Sequence, residues 1–119
     1  MNRPLIGLNT DVVEDDKGIA YFHRSRYVQA TWNAGGRPVL VPPVPEANPA
    51  DLLRGLQGLV MVGGDDLSPA LYGGEARHPE EVPLHPIREV FDMALVKAAV
   101  RLELPTLAVC LGLQELCVA

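Results

Sequence analysis

Four short apolar runs, Pro4–Thr10, Arg37–Pro42, Gly58–Val62 and Pro105–Val109, recur along the chain and restrict it to few architectures. The first carries consecutive apolar residues closed by polar ones, the pattern of a strand buried on both faces. Between the runs lie segments of helical character. From Tyr21 to Ala34, apolar or small residues at Tyr27, Val28, Thr31 and Ala34 keep helical spacing, and Gly35-Gly36 supplies a left-handed stop. Asn48-Pro49 opens a short helix that runs to about Leu56. Arg88–Glu103 places Val90, Phe91, Ala94, Leu95, Ala98 and Leu102 in one stripe opposite Glu89, Asp92, Lys97 and Arg101. Leu111–Ala119 reads as a further helix, and Asp11–Gly18 as a charged loop.

Strands alternating with helices through short connections imply a parallel sheet covered by right-handed crossovers, a doubly wound α/β fold. Ligands of such sheets collect beyond the carboxyl ends of the strands. Here those ends are the segments after Thr10, Pro42, Val62 and Val109. The Pro- and Gly-rich stretch Leu67–Ile87 reads as an ordered excursion over the surface. A length of 119 residues fits one domain. The last helix reaches Ala119 without a Gly or Asn cap, so the chain is expected to be part of something larger.

Charge narrows the partners. A net charge of −5, with 10 scattered basic residues, leaves no basic stripe for a nucleic-acid backbone. The apolar runs fall far short of the ~18 residues of a membrane span, and Met1-Asn2-Arg3-Pro4 has no signal-peptide character. A cytoplasmic protein is expected. Its two cysteines, Cys110 and Cys117, have neither a CxxC nor a zinc-ligand spacing. On one helix they would stand roughly 10 Å apart, too far for a disulfide.

Two strand ends carry chemistry. Ala108-Val109-Cys110-Leu111-Gly112 sets a nucleophile-capable residue at a strand-to-helix turn with small residues two positions either side. A sharp elbow needs them, because its backbone presses on neighbouring strands. A thiol at a helix N-terminus is favoured as thiolate, and the N–H of Leu111 is placed to bind an oxyanion. The alternative is that Cys110 is a small buried hydrophobe. Gly63-Gly64 is either a plain tight turn or a loop whose N–H groups approach a ligand closely. Its expected place, beside the elbow on the same sheet edge, favours the second. Cys117, between Leu116 and Val118, is expected in the core.

Leu104–Leu116 resembles the G-x-C-x-G-x-Q elbow of class I glutamine amidotransferases, and most closely that of the gamma-glutamyl-gamma-aminobutyrate hydrolase family, the C26 peptidases. Further resemblances follow in family order: Pro4–Leu8, Tyr27 with Ala34–Leu40, Gly63–Pro69 with Tyr72-Gly73, and Arg88–Asp92. The resemblance implies a flavodoxin-like sheet, present as its N-terminal half in residues 1–119. It implies a thiol hydrolase in which Cys110 attacks a gamma-glutamyl amide and forms a glutamyl thioester. N–H groups of the Gly63-Gly64 loop and of Leu111 would hold the oxyanion, and Gln114 the glutamyl part. No metal or organic cofactor is implied.

The chain departs from the pattern in places. Leu111 stands where the hydrolase branch usually has Arg and is typical of amidotransferases coupled to synthetases. Asp65 replaces the third glycine of the loop, a change that matters if the position needs a positive φ. Glu89 replaces the more usual Asp, and negative charge in a first helical turn explains it without further function. The family's catalytic histidine and glutamate lie downstream of the elbow, beyond Ala119. His23, His78 and His85 belong to a helix and to the excursion, not to that position. The 119-residue chain alone is therefore expected to be inactive. Two other readings remain: the glutaminase part of a synthetase that passes ammonia to a partner, and a non-catalytic flavodoxin-like module.

Overall fold

A computed structural model describes residues 2–75 and 77–119; Met1 and Ala76 lie outside that description. In chain order the elements are β1 (Leu5–Asn9), β2 (Asp11–Asp15), β3 (Gly18–Phe22), α1 (Ser25–Asn33), β4 (Arg37–Val41), α2 (Pro49–Leu53), β5 (Gly58–Met61), α3 (Pro86–Arg101), β6 (Thr106–Ala108) and α4 (Leu111–Val118). The four expected strands form one sheet of order β4-β1-β5-β6 with every pairing parallel. The order reverses between β1 and β5, the switch point at which doubly wound sheets bind ligands. The loops after β5 and β6 leave adjacent strands on the same sheet edge.

Local chemistry sets the boundaries. Gly35, at φ +100°, ends α1, with Gly36 N–H donating to the Thr31 carbonyl and Gly35 N–H to that of Trp32, the double bond of a Schellman stop. Asn48 caps α2 by accepting from Ala50 N–H at 3.1 Å, and Pro49 follows as the first helical residue. His85 caps α3 through Nδ1, which accepts from Ile87 N–H at 3.1 Å.

The expected charged loop at Asp11–Gly18 is instead a hairpin with Val12 opposite Tyr21 and Val13 opposite Ala20. Its turn is closed by Asp15, which accepts from Lys17 N–H, and by Gly18 at φ +120°. Acidic residues along β2 mask the alternation that pairs it. The hairpin takes Tyr21 and Phe22 out of the expected first helix, which starts at Ser25 because Arg24 is extended. His23 accordingly precedes that helix.

Val41, Leu53, Leu59, Met61, Phe91, Leu95, Val96, Ala98 and Ala99 form the main core, in which α3 packs under the sheet. Each large apolar side chain buried there stabilises the fold by roughly 1.5–3 kcal/mol. The expected stripe on α3 is rotated: Val90 is 73% exposed and Leu102 lies past the helix end, whereas Arg88, Asp92 and Met93 are buried. An ion pair between Arg88 Nε and Asp92 Oδ2, 3.1 Å apart, occupies the inner face. Hydrophobic periodicity does not register buried charges, so a stripe of apolar residues alone misses part of this inner face.

Candidate active site

β6 runs through Val109, whose N–H donates to the Met61 carbonyl at 2.9 Å, and the chain then turns abruptly into α4. Cys110 occupies the turn as the N-cap of α4, at φ 52° and ψ −111°. A non-glycine residue held there costs about 1–3 kcal/mol. Gly112 makes the turn possible, because a Cβ at that position would collide with the carbonyl group of Met61. The thiol is exposed.

The loop after β5 lies against this elbow. A Cβ built on Gly63 would stand 3.7 Å from Cys110 Cβ and 3.6 Å from the Tyr27 hydroxyl, ordinary contact distances. One built on Gly64 would collide with the Arg88 guanidinium and come within 2.8 Å of Leu111 Cδ2. Only Gly64 is therefore compelled by crowding. Neither glycine, nor Asp65, has a positive φ, so replacing the family's third glycine by Asp65 carries no backbone penalty. Among the described residues, the N–H groups of Gly63, Gly64 and Leu111 have no hydrogen-bond partner. Gly63 lies against Cys110, Leu111 follows it in the chain, and Gly64 packs on Leu111.

Beneath the loop sits a buried polar cluster. Arg88 is fully buried and donates from Nε to Asp92, from Nη1 to Asp11 at 3.2 Å, and from Nη2 to the carbonyls of Val62 and Gly63 at 3.2 and 2.9 Å. Asn9 donates to Asp92 Oδ2 at 3.0 Å and accepts from Val62 N–H at 2.7 Å. Glu115, on α4, is fully buried beside Asp92. Burial and the neighbouring Asp92 charge push the Glu115 carboxyl up to about 10. Burial also raises Asp92, against the pull of Arg88. Because Asp92 accepts from Arg88 and Asn9, the proton of the pair resides on Glu115. Asp92 Oδ1 has no other donor and is the natural acceptor of that proton.

Leu111 turns its side chain inward, packed with Leu67, Leu84 and Met93, so its role here is core packing. Gln114 is exposed and lines a groove of about 420 Å³ with Asp66, Leu67, Tyr72, Glu81 and Cys117. Cys117 is exposed, contrary to its expected place in the core. Helix α4 turns it outward on the side of Gln114, a phase that its apolar neighbours do not reveal. Glu89 does more than charge a helix end: its carboxylate accepts from Ser68 N–H and Oγ at 2.8 and 2.7 Å, anchoring the excursion.

His78 and His85 make local backbone contacts, each accepting an N–H two residues on. His23 stands nearer the site than expected. Its ring packs edge-on against Tyr27, centroids 5.2 Å apart, and lines a cavity of about 30 Å³ with Asp11, Tyr27, Val62 and Gly63. Burial lowers its pKa.

The peptidase C26 profile matches residues 4–119. The chain belongs to the peptidase C26 family. This C26 chain is 35% identical, over 99% of its length, to a Mycobacterium tuberculosis protein provisionally named as a glutamine amidotransferase, and covers 40% of that protein. It is 33% identical over its whole length to the gamma-glutamyl-gamma-aminobutyrate hydrolase of Escherichia coli O157:H7, and 32% to that of strain K12, covering 47% of each. The C26 chain thus spans less than half the length of these relatives. Among its described residues, no helix is long and apolar enough to cross a membrane.

Proposed function

We propose that residues 1–119 are the N-terminal, nucleophile-bearing part of a cysteine hydrolase of gamma-glutamyl amides. The observation that carries this reading is Cys110, held at φ 52° on a helix N-terminus, next in the chain to Leu111 and against the loop of Gly63 and Gly64, whose N–H groups, like that of Leu111, are unpartnered among the described residues. The Cys110 thiolate attacks the γ-carbonyl carbon and forms a C–S bond, while the carbonyl electrons move to oxygen. That oxyanion is stabilised by the three N–H groups. Collapse breaks the C–N bond, and the amine leaves with a proton from a general acid. Water then hydrolyses the glutamyl thioester. The groove carrying Gln114 and Tyr72 receives the glutamyl part.

A second reading, a glutaminase that passes ammonia to a partner, is favoured by the provisional name of the mycobacterial relative. Leu111, by resemblance the residue typical of amidotransferases coupled to synthetases, favours it too, and its side chain packs in the core. Dependence of turnover on a partner subunit separates the two.

In this reading the general acid lies outside residues 1–119, which gives a chemical test. A gamma-glutamyl p-nitrophenyl ester expels a leaving group that needs no proton, whereas a gamma-glutamyl amide does not. The chain is expected to acquire one glutamyl group on Cys110 from the ester, visible by mass spectrometry, and to release no sustained amine from the amide. Failure of the ester to acylate Cys110 contradicts the nucleophile assignment. Continuous amine release that disappears in Cys110→Ala contradicts the need for a further acid.

A further inference from the structure

In an extended chain successive carbonyls point in opposite directions. At the end of β5 they do not. The carbonyls of Val62 and Gly63 both accept from one nitrogen, Nη2 of Arg88. Because C=O and N–H of a trans peptide are antiparallel, fixing these two carbonyls fixes the N–H groups of Gly63 and Gly64 on the opposite side. Successive N–H groups turned the same way form an anion-binding concavity. The loop is sandwiched accordingly: Gly64 faces the guanidinium on its buried side, and Gly63 faces Cys110 on its outer side.

We propose that Arg88 is a positioning residue, clamped by Asp92 and Asp11, that holds the Val62 and Gly63 carbonyls inward so that the Gly63 and Gly64 N–H groups converge on the oxyanion formed at Cys110. Asp92 orients Arg88 through Nε and supports the same loop a second time, through Asn9 and the Val62 N–H. Glu115 ties this cluster to α4, the helix that Cys110 caps. The arrangement locks the two sides of the oxyanion site, the loop and the elbow, to one buried guanidinium. The catalytic part of the inference rests on the reading of the loop as an oxyanion donor. The geometric part does not.

Two electrophiles and one spectroscopic readout separate these parts. Glutarate semialdehyde, the γ-aldehyde of the glutamyl part without the amino group that would cyclise onto it, adds reversibly to a thiol and develops an oxyanion, whereas iodoacetamide alkylates by displacement and develops none. In Arg88→Lys, whose ammonium cannot span two carbonyls and two carboxylates, aldehyde affinity is expected to fall by about tenfold or more. Alkylation of Cys110 should stay within about twofold, since the thiol and its helix are untouched. The amide resonances of Gly63 and Gly64 should shift or broaden. Asp92→Asn, isosteric and gentler on the fold, should move all readouts the same way by less. Equal loss with both electrophiles, or unchanged glycine resonances and aldehyde affinity in a folded variant, overturns the proposal. If the unmodified chain alkylates but binds no aldehyde, the oxyanion reading fails, and the glycine resonances alone then decide whether Arg88 positions the loop.

Discussion

Gly112→Ala is expected to destabilise the chain by about 3 kcal/mol, the sum of overpacking against a rigid neighbour and a weakened backbone hydrogen bond. The new Cβ meets the carbonyl carbon and oxygen of Met61 and lies 2.8 Å from Met61 Cβ. Met61 cannot yield. It is fully buried in β5, which is paired on both sides, and its carbonyl already accepts from Val109 N–H. Moving α4 instead would tear Cys110 from its turn. A loss of that size is a large share of the ~5–15 kcal/mol that holds an ordinary domain together. The control is Gly63→Ala, whose added Cβ makes only ordinary contacts at 3.6 and 3.7 Å. Its cost should stay below about 1 kcal/mol. Urea midpoints of the two variants check the contrast, and similar losses in both would contradict this description of the elbow.

A second large effect concerns pH. Glu115 keeps its proton in the folded chain up to about pH 10, whereas in the unfolded chain it ionises near the ordinary glutamate value of 4.5. Between these values unfolding releases a proton, so the contribution of the protonated Glu115 is fully present below pH 4.5 and declines as pH rises toward 10. The slope for one proton is at most about 1.4 kcal/mol per pH unit, large enough to dominate the alkaline limb of a stability profile. Glu115→Gln removes the titration while retaining an N–H donor for Asp92. Stability of the variant is expected to decline less steeply than that of the parent from pH 6 to 9 and to exceed it at the upper end. The measurement is a series of urea unfolding curves across that range. A parent profile without the decline, or one with the same slope in Glu115→Gln, would contradict the assignment of the proton.

What the sequence reveals follows from which interactions are local. The four sheet strands, the stop at Gly35-Gly36, the Asn48 cap and the elbow at Cys110 are all legible, because each is set by a few adjacent residues. The hairpin is hidden by Asp11, Glu14, Asp15 and Asp16, whose charge reads as loop although most of the ribbon is solvent-facing and tolerates it. The inner face of α3 is hidden for the opposite reason. Arg88 and Asp92 read as surface, and only their partners from β1, β2 and the loop after β5 make burial affordable. The same holds for Glu115, a carboxyl whose neighbours lie on other elements. Periodicity on α4 is likewise too weak to show Leu111 turning in and Cys117 turning out. The sequence does carry one signal for the cluster: Arg88 and Asp92 are spaced i, i+4, the separation at which an ion pair forms along one helix face.

The exposure of both cysteines provides the most direct test of the central assignment, since access alone cannot distinguish them. The chain is treated with a glutamine-like electrophile, a chloromethyl ketone carrying the glutamyl side of the substrate, and the modified residue is identified by peptide mass mapping. Cys110, at the helix N-terminus beside the Gly63-Gly64 loop, is expected to be modified, with labelling slowed by excess glutamate and abolished in Cys110→Ala. Modification at Cys117 with Cys110 untouched, or equal reaction at both without protection by glutamate, would contradict it.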